Sequence, residues 1–193
     1  MKIRQGFEKF LDSVQPKMQS IYSELTNGQS PETLFITCSD SRISPNLITQ
    51  TDPGEIFVIR NAGNIVPRPG TGELAIEGTI EYAVQALKVK NIVVCGHAQC
   101  GAVGGLLNLD GLDSLPAVRD WVKKSEAVLD RVKDCDEASK NEEAIKANVM
   151  LQLEHLMEYD YVKAAVDKGD LELHGMVYDF GSGKVDYLTD TAV

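Results

Sequence analysis

Two short clusters in this chain combine cysteine or histidine with side chains that support catalysis. The first, residues 38–42 (CSDSR), directly follows an apolar run at 33–37, and the second, 95–101 (CGHAQCG), follows another at 91–94. Ligands of parallel sheets bind beyond the carboxyl ends of the strands. If both runs are buried parallel strands, the two clusters lie close together at one edge of the sheet.

Two thiols and an imidazole in these clusters form a candidate metal site. Cys38, His97 and Cys100 are a ligand set that suits Zn²⁺, and three protein ligands leave the fourth tetrahedral position open, as in catalytic zinc sites. A buried cysteine at a strand end is more often part of the core than a ligand, so the H-x-x-C spacing alone is weak evidence. The first cluster, with its C-x-D-x-R pattern at the end of a different strand, favours the metal site.

The first cluster also offers an ion pair. On a tight loop, Asp40 and Arg42 could pair, which would fix the carboxylate and keep it ionised beside the metal. The alternative is an isolated surface salt bridge. The two remaining cysteines are interpreted as structural: Cys95 as a small apolar residue of its strand, because a fourth thiolate would close the site, and Cys135 as a residue without function.

The elements that must position these clusters predict an α/β fold. Short β-branched runs predict strands at 33–37, 55–60 and 91–95, and a final hairpin at 172–180 and 184–188. Helical spacing covers 3–25, 73–88, 116–132 and 141–168. Together they predict a mostly parallel sheet of about four strands plus an antiparallel edge strand, flanked by helices, with a long N-terminal helix.

Two of these helices carry further expectations. The middle helix, 73–88, is apolar nearly all round, so we expect it to be well buried. The N-terminal helix lies at a chain end with few neighbours in its own domain. It packs either on a second subunit or on its own core, and periodicity alone favours neither.

Length and charge restrict the class of protein. The 193 residues predict one domain, 1–193, without an internal linker. A formal net charge of −10 argues against nucleic acid or an anionic membrane as partner. Charged residues interrupt the N-terminal segment, which argues against a secretory leader, and no apolar stretch reaches the length of a membrane span. With four sparse cysteines, the expected location is the cytoplasm.

The two clusters together resemble the signature of β-class carbonic anhydrases. The resemblance covers most of the chain, including GQSP at 28–31, PGE at 53–55, RNA at 60–62, IEYA at 80–83 and LHG at 173–175. It implies reversible hydration of CO₂ to bicarbonate and a proton by attack of zinc-bound hydroxide, with one zinc per subunit on Cys38, His97 and Cys100. The same scaffold could instead hydrolyse carbonyl sulfide or carbon disulfide. A non-catalytic zinc-binding or redox module is a further alternative, which would leave Asp40 and Arg42 without a purpose.

The resemblance implies two possible roles for Asp40. Paired with Arg42, it accepts a hydrogen bond from zinc-bound hydroxide and orients the nucleophile. In a closed resting state of some family members, it leaves the arginine and becomes the fourth zinc ligand. The switchable bacterial subclass has a tryptophan three residues before the first cysteine, where this chain has Phe35 while keeping Arg60. The bicarbonate regulatory site therefore looks incomplete, which favours the open subclass.

The resemblance also implies substrate contacts and an assembly. Gln29 would donate its amide hydrogen to a substrate oxygen, and Phe57, Ala62 and Tyr82 would form an apolar pocket for CO₂. A valine is more usual at Ala62, and without the resemblance Phe57 and Tyr82 would be assigned to the core. Family members form dimers in which the N-terminal helix grips the partner. Residues 1–27 are accordingly expected to be a dimer-packing arm of a homodimer or larger assembly.

Overall fold

The computed structural model describes residues 1–189, so the last four residues of the predicted domain lie outside it. The described residues form one five-stranded sheet in the order β2-β1-β3-β4-β5. The strands are β1 (Thr33–Cys38), β2 (Ile56–Asn61), β3 (Asn91–His97), β4 (Glu172–Asp179) and β5 (Lys184–Tyr187). The first four are parallel, and β5 runs antiparallel to β4 at the edge. The predicted α/β class and the antiparallel edge strand are therefore confirmed.

Most of the helices lie on one face of this sheet. The α-helices are α1 (Lys2–Ser13), α2 (Gln19–Leu25), α3 (Pro45–Thr49), α4 (Leu74–Glu81), α5 (Gly101–Leu107), α6 (Pro116–Val122), α7 (Ala127–Arg131), α8 (Lys140–Met157) and α9 (Asp160–Asp167). Alternate strand residues such as Ile36 and Val94 join Val149 and Leu156 of α8 in the main core. The opposite face carries a smaller apolar cluster centred on Phe35.

The predicted long N-terminal helix is present but interrupted. It consists of α1 and α2, separated by a 3₁₀ turn at Gln15–Lys17. Pro16 in that turn has no backbone N–H to donate and its ring clashes with the preceding helical turn, so a continuous helix is disfavoured there. The predicted helix at 141–168 likewise divides into α8 and α9, because Tyr159 between them adopts extended backbone angles. The helix predicted at 116–132 is α6 and α7 joined by a 3₁₀ turn.

The expectation that the middle helix is well buried is wrong for the single chain. The segment comprises α4 and a π-helical turn at Tyr82–Leu87. Within it, Ile80, Ala83 and Val84 are buried, whereas Leu74 is 76% exposed and Tyr82 is 49% exposed. One face of the helix packs against the main core, where Ile76 and Leu87 are partly buried, and Leu74 and Tyr82 keep much of their surface exposed.

Across residues 1–189, no helix combines the length and the apolar character that a membrane-spanning helix needs.

Candidate metal centre and active site

The two sequence clusters meet at one edge of the sheet, as predicted. β1 ends at Cys38, its parallel neighbour β3 ends at His97, and Cys100 lies directly before α5. The three side chains are buried, and their potential ligand atoms all lie within 4.8 Å of one another. The two sulfur atoms are 4.0 Å apart. Residues separated by about sixty positions in the chain thus form one compact ligand set.

The His97 ring is oriented for metal binding. Its Nδ1 lies 2.9 Å from the carbonyl oxygen of Ala98, so this nitrogen carries the hydrogen and donates it. Its Nε2 is then an acceptor that is buried and has no hydrogen-bond partner among the described residues. An unpartnered buried acceptor is unfavourable, and coordination of a metal would satisfy it. Together with two sulfur ligands, this nitrogen fits Zn²⁺.

The two thiols are electrostatically different. The hydrogen bond from Cys100 lowers the pKa of the Cys38 thiol well below its ordinary value, although burial opposes this effect. The hydrogen bond from the Gly63 backbone N–H also lowers this pKa. The pKa of Cys100 is raised, first by its hydrogen bond to Cys38 and then by burial. Because thiolates are the metal-binding form of cysteine, Cys38 is prepared to act as a ligand at neutral pH.

Asp40 and Arg42 form a two-point ion pair beside this cluster. Arg42 Nε donates to Oδ1 of Asp40 at 2.9 Å, and Arg42 Nη2 donates to Oδ2 at 2.8 Å. These bonds hold the pKa of the Asp40 carboxyl well below its usual range. Oδ2 of Asp40 lies 3.8 Å from Nε2 of His97. The structure therefore has an ionised carboxylate next to the ligand set, in its arginine-paired arrangement.

Two residues that the sequence analysis did not assign to the site hold it in place. Arg60 donates to the carbonyl oxygens of Cys38 and Asp40 at 3.0 and 2.7 Å, which fixes the loop between them. The guanidinium carbon of Arg42 lies 4.3 Å from the ring centroid of Phe180, a cation–π contact. Phe180 directly follows β4, the parallel neighbour of β3. Its position after the carboxyl end of a strand was the sequence feature that could have indicated a place near the site.

The expected substrate-pocket residues are placed in different ways. The rings of Phe57 and Tyr82 lie 6.0 Å apart between centroids, so the structure brings these two together. The carbonyl oxygen of Ala62 accepts a hydrogen bond from Nε1 of Trp121 at 2.8 Å. Gln29 is exposed in the loop between α2 and β1, and no hydrogen bond within residues 1–189 joins it to the metal-binding cluster.

The remaining cysteines lie apart from the ligand set. Cys95 is buried on the other face of the sheet, packed with Phe35 and Val93. Burial raises the pKa of its thiol to about 12, so it is protonated at neutral pH. Cys135 is half-buried at the margin of the main core.

Comparison with known proteins gives one consistent result. The family model described as carbonic anhydrase matches residues 33–185. The carbonic anhydrase of Pseudomonas aeruginosa is 43% identical over 186 residues, which cover 95% of this chain and 84% of that protein.

Solved structures agree with this result. The β-carbonic anhydrase CcaA is 39% identical with a TM-score of 0.92, covering 98% of both chains. One of two tetrameric β-carbonic anhydrases of the ascomycete Sordaria macrospora is 30% identical with a TM-score of 0.85, covering 99% of this chain and 98% of that one. With its buried Cys-His-Cys cluster, this chain belongs to the β-carbonic anhydrases, zinc enzymes that interconvert CO₂ and bicarbonate.

Proposed function

We propose that Cys38, His97 and Cys100 hold the catalytic zinc ion and that Asp40 and Arg42 prepare its nucleophile for attack on CO₂. The observation that carries this assignment is the buried His97 Nε2, which lacks a hydrogen-bond partner within residues 1–189 and lies with two sulfur atoms inside 4.8 Å. The ionised Asp40 carboxylate beside this nitrogen supplies the second half of the assignment.

The chain's own residues have distinct tasks in this reaction. Zinc held by Cys38, His97 and Cys100 would supply the Lewis acidity that activates water as a nucleophile. Asp40 accepts a hydrogen bond from that nucleophile and so directs a lone pair towards the substrate carbon. Arg42 uses two hydrogen bonds to hold both carboxylate oxygens in place. This arginine-paired arrangement corresponds to the open state of the site, and we propose it as the resting state.

In this proposal, apolar side chains and one amide donor hold the substrate. Phe57, Ala62 and Tyr82 offer apolar surface to neutral CO₂, and the Phe57–Tyr82 contact provides part of it. The Gln29 amide donates a hydrogen bond to an oxygen on which negative charge develops. Because Gln29 is exposed in the single chain, its approach to the site is expected to depend on the assembly.

The overall assignment is tested by measuring bound zinc and CO₂ hydration on the same preparation. We expect one zinc per chain and rapid stopped-flow hydration of CO₂. A parallel assay of carbonyl sulfide hydrolysis distinguishes the two reactions, CO₂ hydration and carbonyl sulfide hydrolysis, that the sequence left open. Zinc-loaded protein with negligible CO₂ turnover would refute the proposal.

Replacing Gln29 by leucine keeps the side-chain size but removes the donor. We expect kcat/KM for CO₂ hydration to fall by about 10²-fold, the effect of losing one donor to a developing oxyanion. The neighbouring Ser30→Ala substitution is the matched control, because Ser30 is exposed in the same loop. Wild-type kcat/KM for the Gln29 variant would remove Gln29 from the substrate site.

We propose that residues 1–27 pack on a second copy of the chain in a homodimer or larger assembly. Phe7 is 64% exposed, Leu11 is 58% exposed and Ile3 is 65% exposed, and their spacing places them along one face of α1. Such an exposed apolar face is typical of an interface. The tetrameric assembly of the Sordaria macrospora relative supports an oligomer, and the exposed Leu74 adds apolar surface.

Placing a charge on this face is expected to separate the subunits. Phe7→Asp should shift the molecular mass in light scattering from an oligomer towards the 21.1 kDa chain, because an interface cannot bury an unpaired carboxylate cheaply. Gln5→Asp adds the same charge at another exposed position of α1 and should leave the mass unchanged. Equal masses for wild type and Phe7→Asp would argue against the arm as an interface.

We also propose that the enzyme works in the cytoplasm. All four cysteines are free thiols in the structure, which is typical of proteins in reducing compartments.

A further inference from the structure

The segment that follows β2 contacts a proposed zinc ligand through its backbone. The N–H of Gly63 donates to the sulfur of Cys38, with the nitrogen 3.4 Å from Sγ. Gly63 has φ of 81°, and the next residue, Asn64, has φ of 49°. A Cβ on Gly63 would lie 3.0 Å from the Cβ of Ala102. Glycine and asparagine both tolerate positive φ, and neighbouring groups hold this backbone in place.

Those neighbouring groups form a row of buried polar side chains on and just after α8. They are spaced by about one helical turn and all face the segment 62–67, which we call the strap. The hydrogen bonds are Asn148 Nδ2 to Gly63 O (3.0 Å), Val66 N to Gln152 Oε1 (2.8 Å), His155 Nδ1 to Val66 O (2.7 Å) and Tyr159 OH to Pro67 O (2.8 Å). From α6, Trp121 binds the carbonyl oxygen of Ala62.

Within this row, Asn148 is the side chain that connects to the metal-binding cluster. Its amide is oriented by Gln152, whose Nε2 donates to Oδ1 of Asn148 at 2.8 Å and also to the hydroxyl of Ser125 at 3.1 Å. Both hydrogens of the Gln152 amide are therefore used. Because Oδ1 of Asn148 accepts one of them, the Asn148 amide is fixed with its Nδ2 towards the strap. Asn148 then donates to the carbonyl of Gly63, and the N–H of Gly63 donates to Cys38. Asn148 is only 2% exposed, so water does not compete for these bonds.

We propose that Asn148 is a positioning residue of the zinc site, with Trp121 as a second one, and that both act through the strap on the sulfur of Cys38. A hydrogen bond to a ligand thiolate orients the sulfur and withdraws negative charge from it, which adjusts its bond to the metal. This inference rests on the proposed function, because Cys38 must be a zinc ligand for the chain of hydrogen bonds to have this effect.

The test replaces Asn148 by alanine and measures the metal site rather than turnover. We expect the zinc affinity, measured by competition with a chromophoric chelator, to fall about tenfold, as is usual when a partner of a metal ligand is lost. In the cobalt-substituted protein, the thiolate-to-metal charge-transfer band should shift. Tyr159→Phe is the matched control: it removes a hydrogen bond from the far end of the same strap and should leave both readouts at wild-type values.

The possible results separate this inference from the proposed function. Wild-type affinity and an unchanged cobalt band in Asn148→Ala overturn the inference alone, as does an equal loss in Tyr159→Phe, since that would show general loosening. Wild-type protein that binds no zinc overturns the inference and the proposed function together. If Asn148→Ala does not fold, Trp121→Phe replaces it, since that ring is only half-buried and loses a single hydrogen bond. A lower affinity in Trp121→Phe supports the inference, and an unchanged affinity overturns it.

Discussion

Asp40→Ala is expected to lower kcat for CO₂ hydration by about 10²- to 10⁴-fold while the protein keeps its zinc. Asp40 lies beside the proposed ligands, with Oδ2 3.8 Å from His97 Nε2, yet it is not part of the buried Cys-His-Cys cluster. Removing it takes away the group that accepts a proton or hydrogen bond, without removing a ligand. Stopped-flow hydration measures the loss of kcat, and metal analysis of the same sample measures the zinc that is retained.

Two further variants sharpen the Asp40 experiment. Asp40→Asn keeps the shape but loses the negative charge, and it should be nearly as inactive as the alanine variant if the carboxylate is what matters. Ser41→Ala, in the same exposed loop, should retain wild-type kcat. An Asp40 variant that loses its zinc would indicate a coordinating role for this carboxylate, and one with normal kcat would exclude it from catalysis.

Cys38→Ala should reduce bound zinc to well below one per chain and bring CO₂ hydration to background. In the proposed ligand set, Cys38 and Cys100 supply the two sulfur atoms, and a zinc site with only two protein ligands left holds the metal weakly. Inductively coupled plasma mass spectrometry of dialysed protein gives the zinc content directly.

The chain offers a matched control for this loss. Cys95→Ala also removes a buried thiol, but Cys95 lies on the opposite face of the sheet, packed with Phe35 and Val93. We expect this variant to retain one zinc per chain and wild-type turnover. Full zinc content in Cys38→Ala, or zinc loss in Cys95→Ala, would contradict the assigned ligand set.

The Cys-His-Cys cluster was predictable because its signals are local. His97 and Cys100 are three residues apart, and Cys38 ends a short β-branched run that is recognisable as a strand. Parallel strands bring their carboxyl ends to one edge, so neighbouring strands suffice to join the two clusters. The pairing of Asp40 with Arg42 depends only on a tight loop. For the same reason, the hairpin of β4 and β5 was predictable from its glycine-containing turn.

The interruption of the N-terminal helix also has a local cause, Pro16, although hydrophobic spacing alone does not reveal it. Apolar residues keep their helical spacing through Pro16, whereas the missing N–H of that residue ends the first helix. The burial of the middle helix was a different problem. Its apolar pattern predicts contact on every side, but a sequence does not state whether the contacting surface belongs to the same chain.

By itself, the sequence determined which atoms could bind the metal and at which strand ends they lie, because these depend on residue type and short spacing. Only the tertiary structure decided how those atoms are held. Arg60 reaches the carbonyl oxygens of the first cluster, and Asn148 reaches the strap from a helix 85 residues away in sequence. Such hydrogen bonds between distant residues follow from how helices pack on the sheet, which no local pattern of residue types specifies.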